Sequence, residues 1–200
     1  MKHNKRIGQL FVAATFLFSQ TSLHAADWEF AAHFGQMWAS DLATANGNET
    51  VSIDDGNNFG ISLSWQDSPN GQGQILLNAV GHDYVSEETG EEFSLDIFYG
   101  HFNGVALFRQ QNYITTVSLG LGGAMFDSGH SEQVYPSATV AIGTRYQFSD
   151  NLAFFTELRA YASLVDEEDD VFCSADTCHA QFEDSLWVDT NISVGLAFRF

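Results

Sequence analysis

Apolar residues recur at every second position in run after run of this chain, and no long window repeats at helical spacing. A period of two places successive side chains on opposite faces of an extended strand, so the chain is constrained to an all-β fold. The last run shows it best. Ile192, Val194, Leu196, Phe198 and Phe200 share one face, and Asp189, Asn191, Ser193, Gly195, Ala197 and Arg199 share the other. Phe59, Ile61, Leu63 and Trp65 likewise oppose Gly60, Ser62, Ser64 and Gln66, and Leu152, Phe154 and Leu158 oppose Glu157, Arg159 and Tyr161.

Eight such runs are present: Trp28 to Ala39, Asn58 to Gln66, Gly73 to Tyr84, Phe93 to Phe108, Tyr113 to Phe126, Val134 to Phe148, Leu152 to Leu164, and Leu186 to Phe200. Most approach or slightly exceed the roughly nine to eleven residues that a tilted strand needs to cross a bilayer. The connections alternate in length. Those at 67–72, 109–112 and 149–151 are short; those at 40–57, 85–92, 127–133 and 165–185 are long. Short turns on one rim and long loops on the other are expected of a barrel that enters a membrane from one side.

Ahead of the first run, Lys2, Lys5 and Arg6 precede an apolar core from Leu10 to Phe18, with a small-residue junction before Ala26. This pattern predicts a secretory signal over 1–25 and a single domain over 26–200. Beyond the signal no lysine remains, and four arginines (Arg109, Arg145, Arg159 and Arg199) face all 26 acidic residues. Such a charge balance repels phosphate backbones and excludes nucleic-acid binding.

Alternation alone does not say which face points inward. A water-soluble barrel around a small ligand would alternate too, with its apolar face inside. Two features favour apolar residues outside. The polar faces are mostly Gly, Ser, Thr, Asn and Gln without lysine. Aromatic residues also gather at strand ends, with Trp28, Phe30, Trp65, Phe108, Tyr113, Tyr146, Phe148, Phe154 and Phe200 toward the short turns and Trp38, Tyr84, Phe93 and Tyr135 toward the long loops. Rings at both levels fit two headgroup girdles.

The signal-like start, the eight runs and the closing stretch from Asn191 to Phe200 resemble the small outer-membrane β-barrels of Gram-negative bacteria, the OmpA/OmpX-like and opacity-type group. The resemblance implies a closed, antiparallel, eight-stranded, up-and-down transmembrane barrel reached by export through the periplasm. It further implies contact with outer-membrane lipid and lipopolysaccharide, and insertion by the barrel-assembly machinery. The terminal stripe of Ile192, Val194, Leu196, Phe198 and Phe200 is similar to the recognition signal of such barrels. The group includes adhesins, narrow pores and lipid enzymes, so the resemblance fixes architecture more tightly than activity.

On that architecture, the polar face places Glu29, His33, Asp96, Arg145, Glu157, Arg159, Asp189 and Arg199 in the lumen. Eight strands leave an interior that side chains fill, and buried charges must pair. The expectation is an ion-pair network that plugs the barrel, with a switchable Arg145 or Arg159 gate as the alternative. Nineteen of the 26 acids fall in the four long loops, counting Asp83 at the edge of the second, and no basic residue offsets them there. Asp166, Glu167, Glu168, Asp169 and Asp170 are candidates for divalent-cation binding, but they lack the central glycine of a calcium loop and read more simply as a solvated acidic segment.

Cys173 and Cys178, both in the longest loop, are expected to form a local disulfide after export, with a Cys173, Cys178 and His179 metal site as the alternative. Catalysis finds little support. In His101-Phe102-Asn103-Gly104, His101 shares parity with Leu95, Ile97 and Tyr99, which directs it toward lipid unless a bulge at Gly100 or Gly104 turns it inward. Asn103 stands where a hydrolase serine would be required. His82, His130 and His179 have no matching Ser and Asp constellation. The expectation is therefore a non-catalytic monomer without a cofactor, with a structural or interaction role for its acidic loops. The alternatives are a narrow cation-preferring pore and a lipid-modifying enzyme.

Overall fold

The computed structural model describes residues 28–43, 50–51, 53–85, 92–129, 131–166, 171, 173–174, 177–178, 181–182 and 184–200. The segment at 1–25 expected to be a signal peptide lies outside them, as do Glu167 to Asp170, His130 and His179.

Eight long strands form the barrel: β1 (Trp28–Trp38), β2 (Gly56–Ser68), β3 (Gly71–Val85), β4 (Glu92–Arg109), β5 (Ile114–Asp127), β6 (Glu132–Gln147), β7 (Leu152–Leu164) and β8 (Leu186–Arg199). Each pairs antiparallel with its sequence neighbours, and β1 closes onto β8, so no strand edge is left open. The fold is a closed antiparallel up-and-down barrel.

The ladders can be followed once around the wall. Trp28 faces Trp65, then Gly73, Gly104, Leu119, Val140, Ala160 and Thr190, and the path returns to β1 at Trp38. Such a stagger is what tilting the strands by roughly 35–45° against the barrel axis requires.

Outward positions are predominantly apolar, with Leu121 73%, Leu119 66% and Phe102 66% exposed. A face of this kind is far more apolar than water-exposed sheet surface, where contiguous patches seldom exceed a few hundred Å². Trp28, Phe30, Phe108, Tyr113, Tyr146, Phe148 and Phe200 are exposed near the short-turn rim. At the loop rim Trp38 is exposed, but Tyr84 and Tyr135 are buried and point inward, so they do not belong to an outer girdle.

The interior has two zones, which corrects the expectation of a polar filling from end to end. Toward the short turns many inward positions are polar, with Glu29, His33, Ser62, Ser64, Gln72, Thr116, Arg145 and Arg159 all buried beside a small cluster of Ala31, Ala153 and Ala197. Toward the long loops they become apolar, and Met37, Val80, Tyr84, Leu95, Ile97, Ala124, Phe126, Tyr135 and Trp187 form one packed cluster.

Strand β4 contributes Leu95, Ile97 and Tyr99 to this cluster. Its pairing with β3 runs without interruption from Gly71↔Ala106 to Val85↔Glu92, and its pairing with β5 from Asp96↔Asp127 to Arg109↔Ile114. No bulge occurs at Gly100 or Gly104. Leu95, Ile97, Tyr99, His101 and Asn103 all face inward, so His101 reaches the lumen by plain alternation. The same parity turns Asp96 outward, where it is exposed, and removes it from the lumen.

Candidate functional site

Among the described residues, the lumen is where the fold gathers charge away from solvent. At the short-turn end, Arg145 of β6 donates from Nη1 to both carboxylate oxygens of Glu29 of β1, at 2.6 and 2.8 Å. Higher up, Arg159 of β7 pairs with Glu157 two residues away on the same strand face, at 2.8 Å. Its remaining donors reach the hydroxyls of Thr139 at 3.2 Å and Ser118 at 3.4 Å. A fully buried guanidinium is sustained by this combination of one carboxylate and neutral acceptors.

Between the two pairs lies a cavity of about 20 Å³ bordered by His33, Ser62, Gln74 and Phe155. That is room for about one water molecule and not for a continuous aqueous file. His33 packs edge-on to Phe155 with centroids 6.2 Å apart. It occupies space that Gly60 leaves open, since a Cβ at Gly60 would stand 2.3 Å from its ring.

Above this layer, Tyr99 donates its hydroxyl hydrogen bond to the fully buried Asp189 and stacks on Tyr161 with centroids 4.1 Å apart. His101 lies 5.5 Å from the Tyr161 ring, among aromatic side chains. Higher still, Phe126 meets Trp187 and Phe182 edge to face at 5.7 and 5.8 Å.

The long loops add to this cap. Leu42, Ile53, Val171 and Phe182 are buried in the same cluster, and a three-stranded patch joins Gln181–Phe182, Leu42–Ala43 and Thr50–Val51. Ser40 fastens the first loop to β8 by donating to the Val188 carbonyl and accepting from its amide, both at 3.0 Å.

The lumen residues expected from the sequence therefore divide. Glu29, His33, Arg145, Arg159 and Asp189 are buried inside, Glu157 is half-buried beside Arg159, and Arg199 sits half-exposed at the short-turn rim. Among the described residues the charges form two separate ion pairs, Arg145–Glu29 and Arg159–Glu157. Asp189 is held by a tyrosine instead of an arginine. Tyr161 falls on the inward face as its parity with Glu157 and Arg159 predicts, whereas Tyr99, Phe126, Trp187 and the loop residues that seal the lumen were not expected there. The available signal was the apolar character of both faces of 93–102.

In the long loops, Cys173 stands directly opposite Cys178 in a two-residue ladder, and their side chains lie outside the described residues. Asp166 is exposed, and among the described residues no group of three or more His, Cys, Asp or Glu could hold a metal. Ile192, Leu196, Phe198 and Phe200 lie exposed on the outer wall, with Val194 half-buried among them.

No protein-family model matches the sequence, and no curated protein sequence matches it. Solved structures do. Neisserial surface protein A is 13% identical, with 86% of this chain and 97% of that one covered at a TM-score of 0.55. The attachment invasion locus protein Ail of Yersinia pestis is 14% identical over 88% of this chain and 99% of that one, at a TM-score of 0.47. The N-terminal β-barrel domain of Pseudomonas aeruginosa OprF is 15% identical over 88% and 98%, at 0.43. With its eight antiparallel strands, closed wall and apolar exterior, the chain has the fold of the small outer-membrane β-barrels.

Proposed function

We propose that this protein is a non-catalytic barrel of the bacterial outer membrane that holds its acidic long loops at the cell surface for a structural or interaction role. The observation that carries the reading is the pairing of an apolar outer wall with a sealed interior. Leu119, Leu121 and Phe102 suit hydrocarbon, while the Phe126, Trp187 and Phe182 cluster closes the lumen at the loop end and Glu29–Arg145 closes it at the other. What is left to meet other molecules is the loops, in which Asp41, Asp54, Asp55, Asp166 and Asp184 are exposed, with Asp83 exposed at the adjoining end of β3.

This reading includes export by cleavage of residues 1–25 and insertion guided by the Ile192 to Phe200 stripe through the barrel-assembly machinery. Lipopolysaccharide is the neighbour of the outer leaflet, and divalent cations are the counter-ions of the acidic rim. The register of Cys173 opposite Cys178 supports a disulfide that shapes the last loop.

The test is reconstitution of the mature chain into lipid vesicles, followed by gel migration with and without boiling and by single-channel recording in a planar bilayer. A folded species of altered migration with no conductance is expected. Discrete cation-selective openings would replace this reading with the narrow pore, and deacylation or acyl transfer on lipid A would replace it with an enzyme.

A further inference from the structure

The four arginines beyond residue 25 are not spread through the barrel, for three of them, Arg109, Arg145 and Arg199, line one recess of about 600 Å³ at the short-turn rim. The recess spans the short-turn end of the barrel from Arg109 of β4, past β5 and β6, to Asp150 in the next turn and Arg199 of β8. The ladder between β5 and β6 ends at Ile114↔Arg145, while β6 continues to Gln147 and the turn before β5 runs through 110–113. Tyr113 and Tyr146 line it as well, and both rings are about half exposed on the outer wall. The notch therefore opens beside the aromatic level of the membrane-facing surface.

The arginines in it are only partly committed. Arg145 is paired with Glu29 through Nη1, but its Nε is buried without a partner although the residue is only 8% exposed. Arg109 reaches only the Pro69 carbonyl, at 3.5 Å, and Arg199 makes no side-chain hydrogen bond or ion pair among the described residues. Asp150 is the one acid in the lining. After Glu29 and Asp150 are set against three guanidiniums the recess keeps an excess of positive charge, in a chain whose formal net charge is -19. The amides of Gln111 and Asn112 add neutral donors.

We propose that this notch is a binding site for a phosphate-bearing anion, seated by Arg109 and Arg199, and that its ligand is the headgroup of an anionic phospholipid in the inner leaflet. A planar guanidinium matches phosphate oxygens in two parallel hydrogen bonds, and aromatic rings flanking a basic pocket place it at the level of lipid headgroups. The assignment rests on the membrane reading above, and the experiment separates the two.

The mature chain is inserted into phosphatidylcholine vesicles with and without phosphatidylglycerol, extracted gently, and examined by native mass spectrometry. One retained phosphatidylglycerol per barrel is expected. Retention should fall at least about tenfold in the R109Q/R199Q double variant, the scale set by losing two charge-assisted hydrogen bonds. Asp150→Asn removes the one opposing charge from the lining and should raise retention, which keeps the proposal testable if the double variant does not fold. Inorganic phosphate in the buffer distinguishes the sources: lipid that resists displacement supports the headgroup, whereas displacement with phosphate adducts on the protein keeps the anion site and overturns the lipid assignment. Equal retention by the original chain and the double variant, or no change with Asp150→Asn, overturns the site. A chain that fails to float with either vesicle overturns the membrane reading itself.

Discussion

Arg145 and Glu29 stand 116 positions apart in sequence, yet Nη1 of the first bonds both carboxylate oxygens of the second inside the short-turn end of the barrel. Their strands stand three apart in the wall, so the pair braces the lumen from one side to another. Glu29→Ala would leave a buried guanidinium without its counter-charge, at a cost of about 3–5 kcal/mol in unfolding free energy. Urea unfolding from vesicles measures this. The double change Glu29→Ala with Arg145→Met should recover most of the loss, because the unpaired charge is then gone.

The two-zone interior makes a prediction about conductance that an ion-pair plug alone does not. Arg159→Ala by itself should stay electrically silent, since the Phe126 and Trp187 cap above it is untouched. Openings in planar bilayers should require Phe126→Ala and Trp187→Ala together with Glu29→Ala and Arg145→Ala, which remove the closure at the other end as well. Each aromatic truncation should also cost roughly 3–5 kcal/mol of stability as a cavity replaces packed rings.

Gly60 and His33 form a space-sharing pair. Gly60→Val puts branched carbon into the volume of the imidazole, and overpacking of this kind costs about 1–3 kcal/mol. His33→Ala in the same chain should restore much of that stability. A double-mutant cycle reads the coupling directly, and additive effects would show that the two positions do not share the space.

The outer wall can be tested by depth. Leu121 lies at the middle of β5 and Leu186 at the loop end of β8, both exposed on the same outer surface. In bilayers Leu121→Arg should cost about 2–4 kcal/mol and Leu186→Arg about 0–1 kcal/mol, measured by unfolding from vesicles. Two equal and small costs would mean that the wall faces water.

Strand number and the strand boundaries to within two residues were readable from the alternation, because a wall with unlike surroundings on its two sides writes a period of two into each strand, while the antiparallel order came from the resemblance. Strand β4 was read with the wrong side inward. Leu95, Ile97 and Tyr99 are apolar on one face and Phe98 and Phe102 on the other, so alternation gives no preference. Only the register with β3 and β5 decides, and it sends Asp96 out and His101 in. The buried loop residues Leu42, Val171 and Phe182 were equally hidden, since segments of one or two residues carry no periodicity. The arginine notch depends on which turns and strand ends the closed wall brings together at one rim, which the sequence does not mark.

The ladder from Glu29↔Arg199 to Trp38↔Thr190 joins the first strand of the wall to its last. Every other seam joins strands adjacent in sequence, so the cylinder can be stitched progressively until this final seam, whose loop of intervening chain is the longest in the molecule. Until β8 arrives, β1 and β7 each carry a raw margin of unpaired amides and carbonyls that hydrocarbon does not tolerate. Assembly must therefore shelter both margins together, and a chain cut short within β8 would be left as an open trough.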